Sequence, residues 1–318
     1  MSELRFLSAA QIESVGLPVE DCVSLIKRTL EQHAWGLLEM PPKSGVHPPE
    51  GRHVHAMSAF LPSLPALGMK WIADFPKNPS LGLPTLSALI ILNDPATGVP
   101  LCVMDGAGIT AARTAGMTAV SLLACARDDA ESAAIIGTGV QAAAHARILP
   151  LMLPGVRKIL VVGSRLSKAV RFCQDTGSPR FIPVATRKEA VEGTDIVVTV
   201  TNAVREPLLE PEWLRPGVTV VVLDNGGKET RILPFVDQIF VDDRRPFESE
   251  EVRHRFPTGV PRLDAEIGQI LTGKAVGRRE KRDRILILNL GIAACDIAVA
   301  AEIHRRSVEL GIGSKLSL

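Results

Sequence analysis

Tyrosine is absent from all 318 residues of the chain. Every mechanism that needs a tyrosine acid is therefore excluded, including the Tyr-Lys pair of short-chain dehydrogenases. Net charge is also lacking: 36 Lys and Arg face 35 Asp and Glu, leaving +1. That balance argues against a nucleic-acid or membrane-surface partner recruited by bulk electrostatics. One basic run, Arg278-Arg279-Glu280-Lys281-Arg282-Asp283-Arg284, carries interspersed acids and no aromatic residue, so it reads as a solvated loop. The five cysteines are scattered, odd in number and without metal-ligand spacing, as expected of buried thiols in a reducing cytoplasm. The seven histidines make no zinc pattern. His53-Val54-His55 comes nearest and reads as a packed or substrate-facing pair, so no metal is expected. No signal peptide and no membrane-spanning apolar run is apparent, and a soluble cytoplasmic protein is expected.

What is present is most informative at Ser132-Ala133-Ala134-Ile135-Ile136-Gly137-Thr138-Gly139-Val140-Gln141-Ala142. A β-type apolar run meets G-x-G-x-x-A, and an Ala-rich helical pattern follows. In a dinucleotide-binding turn the first Gly makes the bend and the second admits the pyrophosphate. The third small residue lets helix and strand pack closely. The helix N-terminus then offers free N–H groups to the phosphates. The bare motif is common, but strand and helix on either side place it above an ordinary βα turn. Arg157 to Val162 reads as the next parallel strand, ending in Gly163-Ser164-Arg165. No carboxylate stands between Gly163 and Ala169 to bond a ribose 2′-hydroxyl. Ser164, Arg165 and Lys168 suit a 2′-phosphate instead, unless they are merely solvated at a helix start. NADP(H) is therefore expected over NAD(H).

The length suffices for two domains. Ser8-x-x-Gln11 is a capping box opening a short helix. Pro18 starts a longer amphipathic helix to about Leu38, which Met40-Pro41-Pro42-Lys43 breaks. Strands are expected over 53–60, 69–73, 85–92 and 99–104, an antiparallel meander, and residues 110–126 have helical periodicity. Beyond them strands and helices alternate: strands over 132–136, 158–162, 181–184, 195–200, 218–223 and 239–241 form a parallel set, and 285–288 is apolar and β-like. A last helix, from Gly291 to about Leu310, is expected to return to the first domain. The fold class is thus α/β: a Rossmann-type doubly wound sheet over 126–291, plus a discontinuous α+β domain from 1–125 and 292–318.

Ligands of open α/β sheets sit beyond the carboxyl ends of the strands. Ser164, Thr201 and Asp224 occupy such ends. Asp224 either braces the Asn225-Gly226-Gly227 turn or presents a carboxylate to a nicotinamide, and the two roles are compatible. Lys70 lies inside an otherwise apolar strand, either snorkelling from an edge or pocketed with a lowered pKa. Arg113 is the only charge in a long apolar stretch. Its partner is a substrate carboxylate, the cofactor phosphates, or an internal acid such as Asp105.

Several of these segments together resemble the ornithine cyclodeaminase/μ-crystallin family. They are Lys70; Gly82-Leu83-Pro84-Thr85; Thr97-Gly98-Val99-Pro100; Thr110-x-x-Arg113-Thr114-Ala115; Ile136 to Ala142; Gly193-Thr194-Asp195; Glu266-Ile267-Gly268; and Gly291-Ile292-Ala293-x-x-Asp296. The match runs in order from about Pro41 to Ala300. The resemblance implies a homodimer joined through the first domain, with the active site between domains. It implies that Lys70 and Arg113 hold a substrate carboxylate with Thr85 nearby, that Asp224 is the catalytic acid, and that Leu290 and Gly291 line the pocket. Lys43 stands where many relatives carry a carboxylate-gripping Arg. Gly226 replaces a usual Pro, and Asn289 and its neighbours depart from the usual composition before the Gly. The expected cofactor set is Arg113, Thr114, Gly137, Thr138, Gly139, Val140, Gln141, Ser164, Arg165, Thr201 and Asp224. The implied activity is NAD(P)-dependent oxidoreduction of an α-amino or α-imino acid, as a ketimine reductase or cyclodeaminase. The alternatives are an NADP(H)-bound ligand-binding protein with little turnover, or an opine-type enzyme joining an amine to a keto acid.

Overall fold

The computed structural model describes residues 3–201, 207–223, 227–256 and 258–318. In chain order the elements begin β1 (Glu3–Leu7), α1 (Ala9–Val15), α2 (Val19–Ala34), β2 (Ser44–Val46), β3 (His53–Leu61), β4 (Ala66–Asp74), β5 (Leu86–Asn93), β6 (Pro100–Asp105) and α3 (Ala107–Cys125). They continue β7 (Ser132–Ile136), α4 (Val140–Met152), β8 (Lys158–Val162), α5 (Leu166–Thr176), β9 (Phe181–Pro183), α6 (Arg187–Val191), β10 (Ile196–Thr199), β11 (Thr219–Val222) and β12 (Gln238–Val241). The last are α7 (Glu250–Arg253), β13 (Ala265–Glu266), α8 (Ile267–Leu271), β14 (Ile285–Leu288), α9 (Ala293–Glu309) and β15 (Ser314–Ser317). No helix among the described residues is long and apolar enough to cross a membrane.

The chain divides into two compact units, 1–113 with 292–318, and 114–291. The first division falls inside α3 rather than after it, where the sequence suggested residue 125. In the first unit the described strands form one sheet in the order β15-β1-β6-β5-β4-β3-β2. β3 to β6 are the expected antiparallel meander. The sheet as a whole is mixed, because β1 pairs parallel to β6 and antiparallel to β15. β2 and β15 carry no alternation for a sequence to reveal, since every residue in both is exposed. α1 begins with the Ser8–Gln11 capping box in place. α2 stops at Ala34, short of Leu38, where Trp35 caps it and Gly36 turns away.

One face of this sheet is closed and the other open. Met57, Ala59, Leu61, Lys70, Ile90, Leu92, Cys102 and Met104 point to the closed face and are buried. α9 lies against β3, β4 and β5 there, with α2 packed on α9. The opposite face, in the same registers, carries Phe6, Trp71 and Leu89, with the last two each 46% exposed.

The second unit is a wholly parallel sheet in the order β13-β12-β14-β11-β10-β7-β8-β9. Its strands run outward in both directions from β7, the doubly wound pattern, so strand ends diverge between β7 and β10. β10, β11, β12 and β14 are buried at every position, which is why they read as continuous Val/Ile/Leu runs.

Candidate functional site

The closed face of the first sheet buries a cation. Lys70 pairs with Met57 on β3 and Ile90 on β5, so its side chain must point under α9, and it is fully buried. A buried ammonium is costly unless an acid meets it. Asp296, in the first turn of α9 and equally buried, supplies that acid at 2.7 Å. The same oxygen, Oδ1, accepts from Arg113 Nε at 2.9 Å. Arg113 comes from the second turn of α3 and is almost fully buried. Lys70 Nζ also reaches Thr110 Oγ1 at 3.5 Å, whose hydroxyl donates to Gly106 O.

This arrangement corrects two expectations. Lys70 and Arg113 are not lone cations, because one internal carboxylate bridges them. Asp105 is not that carboxylate; it accepts from Ala107 N at the start of α3. The bridging acid arrives from 183 residues downstream of Arg113, a distance over which no periodicity argument operates. The sequence signals are a carboxylate within the apolar run Ile292 to Val299 and its place in the Gly291-Ile292-Ala293-x-x-Asp296 segment, neither of which names its partners.

The electrostatics favour a further anion. Burial pushes Lys70 down to about 7, Arg113 and Lys43 push it the same way, and Asp296 opposes them. Burial alone would raise Asp296, but Arg113 and Lys70 outweigh it and hold the acid below the usual carboxylate range. Asp296 engages only Nε of Arg113, so both Nη nitrogens of its fork lack a partner among the described residues. Lys43 is exposed ahead of β2, and its charge reaches Lys70. Asp296 Oδ2 is buried without a partner among the described residues. A buried acceptor of this kind is ordinarily met by a ligand or a water. Thr85, half-buried just before β5, accepts at its carbonyl from Phe75 N.

The second unit carries the nucleotide features. Gly137 adopts φ 132°, and a Cβ there would come within 2.9 Å of Val200 Cγ2, so the turn admits only glycine. A Cβ on Gly139 would meet open space, and Gly139 caps α4 with no side chain bonded to the helix N–H groups. Val140, in the first turn, is 74% exposed, and Ala142 is buried. Thr138 packs against Gly163 at the end of β8. Ser164, Arg165 and Lys168 are all exposed there, with Arg165 the residue preceding α5. Thr199 Oγ1, at the end of β10, is buried and without a partner among the described residues. An uncapped helix start, a glycine-only turn and an orphaned hydroxyl at the strand ends fit a dinucleotide. His145 Nδ1–H donates to the Gln141 carbonyl at 2.7 Å, which fixes the backbone there. Thr114 and Thr201 are half-buried. Leu290 is half-buried, and Gly291 N donates to buried Asp242. Asn289, beyond β14, donates to Ser121 Oγ. Asp224, with Asn225 and Gly226, lies outside the described residues.

Burial pushes the thiols of Cys22, Cys102 and Cys125 up to about 12, so none of the three supplies a nucleophile near neutral pH.

Comparison with known proteins adds to this geometry. The sequence model described as the ornithine cyclodeaminase/mu-crystallin family matches residues 3–310. The chain is 33% identical to the nodulation efficiency protein NfeD of Rhizobium meliloti, over 100% of this chain and 99% of that protein. It superimposes on an archaeal alanine dehydrogenase dimer with bound NAD at TM-score 0.89 and 29% identity, covering 100% of both chains. It matches the Thermococcus litoralis Delta(1)-pyrroline-2-carboxylate reductase, solved with NADH and L-proline, at TM-score 0.86 and 25% identity, covering 98% of this chain and 100% of that one.

Proposed function

Because the chain belongs to the ornithine cyclodeaminase/mu-crystallin family, we propose that it is an NAD(P)-dependent oxidoreductase interconverting an α-amino acid and its α-imino acid at Cα. The observation that carries this reading is the buried Lys70–Asp296–Arg113 cluster. Asp296 fixes both cations yet neutralises only one charge, and it leaves the Arg113 fork for a second carboxylate. Arg meets a carboxylate through two parallel hydrogen bonds, which sets the orientation of the α-carbon as well as its affinity. Lys70, titrating near neutrality, is suited to exchange a proton with the substrate nitrogen. Asp224, two residues beyond β11, stabilises the developing iminium and manages its proton. When bound at the α4 turn, the dinucleotide supplies or accepts the hydride. A ligand-binding protein without turnover needs no such acid, so Asp224 favours the enzyme.

The test is the spectrophotometric oxidation of NADPH with a ketimine and with its decarboxylated analogue. The carboxylated substrate is expected to react with a kcat/KM at least about a hundredfold higher, the scale of losing a charge-assisted bidentate contact. Equal rates would remove Lys70 and Arg113 from substrate binding.

The cofactor preferred is NADP(H), supported by the lack of a carboxylate after β8 and the exposed Arg165. Arg165→Ala is expected to weaken NADPH by about 1–2 kcal/mol and leave NADH unchanged, as one charge-assisted contact would require. Fluorescence titration of both cofactors reads this directly, and tighter NADH binding by the parent protein would overturn the preference. A second copy of the chain is proposed to cover the open sheet face around Phe6, Trp71 and Leu89, since an apolar face of this kind marks an interface. The five buried free cysteines suit a reducing, cytoplasmic setting.

A further inference from the structure

Beyond the carboxylate cluster, the same face of the first sheet continues into three histidines that the proposed chemistry leaves unused. Side chains alternate along a strand, so His55 and His53 share a face with Met57, and Ile72 and Asp74 share it with Lys70. Met57 is the direct cross-strand partner of Lys70. His55 therefore stands on the diagonal from Lys70, roughly 7–8 Å away between backbones. His47, just after β2, completes the group. Ring centroids lie 5.6 Å apart for His47 and His55, 5.7 Å for His53 and His55, and 6.4 Å for His47 and His53. β2 presses on this group: a Cβ at Gly45 would fall 2.7 Å from His55 Nδ1, so only glycine lets the strand pass. Lys43 immediately precedes β2, and its charge is felt at Lys70. Asp74, on the same face, lies 3.6 Å from His53 Nε2 at the outer end.

We propose that His47, His53 and His55 form the side-chain end of the substrate site and select an α-imino acid that carries a second carboxylate. The proposal rests on the reading of Lys70 and Arg113 as the grip on the first carboxylate. An aliphatic side chain placed against three imidazoles gains no hydrogen bond from them. A terminal ammonium would meet the like charge of Lys43. A carboxylate accepts from imidazole N–H groups. Sites built to hydrogen-bond a substrate group discriminate strongly against analogues that lack it.

Two measurements test this. The first compares kcat/KM for imines formed from ammonia and a dicarboxylic 2-oxo acid, imines from ammonia and pyruvate, and a cyclic imino acid, with diamino acids in the oxidative direction. The dicarboxylic substrate is expected to lead the panel by at least about tenfold, a threshold well below what fully engaged contacts of this kind give. His55→Leu should bring that ratio close to one, and His55→Gln, which keeps a donor, should retain part of it. The second is calorimetric titration of dicarboxylic and monocarboxylic amino acids into the cofactor-loaded parent and both variants, which needs no turnover. A dicarboxylate preference in binding, lost in His55→Leu while no imine is reduced, would keep this site and overturn the proposed reaction. Leadership of the panel by an aliphatic, cyclic or diamino substrate would overturn the histidine assignment and leave the reaction standing. An unchanged ratio in a folded His55→Leu protein would do the same.

Discussion

Replacing Asp296 with Asn is expected to destabilise the first unit by about 3–5 kcal/mol, the scale of breaking a buried ion pair from one side. The variant is nearly isosteric, so packing is kept and the loss is electrostatic. It strands Lys70 and Arg113 together in a face with no other acid bonded to them among the described residues. The pH dependence identifies the cause. Lys70 binds its proton with a pKa of about 7 when folded, against an ordinary 10.5. Between those values the unfolded chain holds more protons, so stability rises with pH through that window. Without Asp296 the folded pKa falls further and the window widens. The deficit relative to the parent should therefore grow as pH falls below about 7 and shrink toward pH 9, as Lys70 becomes neutral in both proteins. Urea unfolding at several pH values measures this. A deficit under about 1 kcal/mol, or one independent of pH, would show that Asp296 is an ordinary helix residue. The same variant should lose substrate affinity, because Asp296 aims the two cations.

Asp224→Asn is expected to lower turnover by at least about a hundredfold, the usual scale of general acid–base work, with cofactor affinity nearly intact. β11 lies between β14 and β10 in the middle of the parallel sheet. Asp224 follows it by two residues in the sequence, and α/β sheets place their ligands beyond the carboxyl ends of their strands. Asn keeps the size and the capacity to brace a turn but cannot carry a proton. Steady-state kcat with a saturating ketimine, set beside a fluorescence titration of cofactor, separates the two roles. Turnover near the parent value would mean that Asp224 holds the turn and that the proton is managed elsewhere.

Legibility differed sharply between the two units. In the second, most strands are short apolar runs that stand alone, and the loops between them are punctuated by Gly, Asp or Asn. Local pattern and parallel topology agree there, so β7, β8, β10, β11, β12 and β14 lie within a residue or so of their expected bounds. The first unit also yielded its meander, because β3 to β6 alternate or run apolar as a half-buried sheet requires. β1, β2, β15 and, in the second unit, the two-residue β13 escaped notice. β2 and β15 are exposed throughout, and β1 joins the sheet through partners from the middle and the end of the chain.

The candidate site divides along the same line. The glycine turn, the helix start behind it and the missing acid after β8 are local chemistry, legible wherever neighbours in sequence are neighbours in space. Lys70 and Arg113 stood out for a similarly local reason, as charges in apolar segments. What each charge touches is a different matter. Asp296 meets them only because α9 returns across the sheet, and the three histidines gather only because β2 runs back along β3. Sequence by itself determined the fold class, the nucleotide turn and the presence of buried cations, since these follow from spacing and solvation along one segment. Tertiary structure alone decided which acid holds the cations and which face their charge is offered to. Those contacts join residues far apart in the chain, whose encounter depends on the packing of a helix on a sheet.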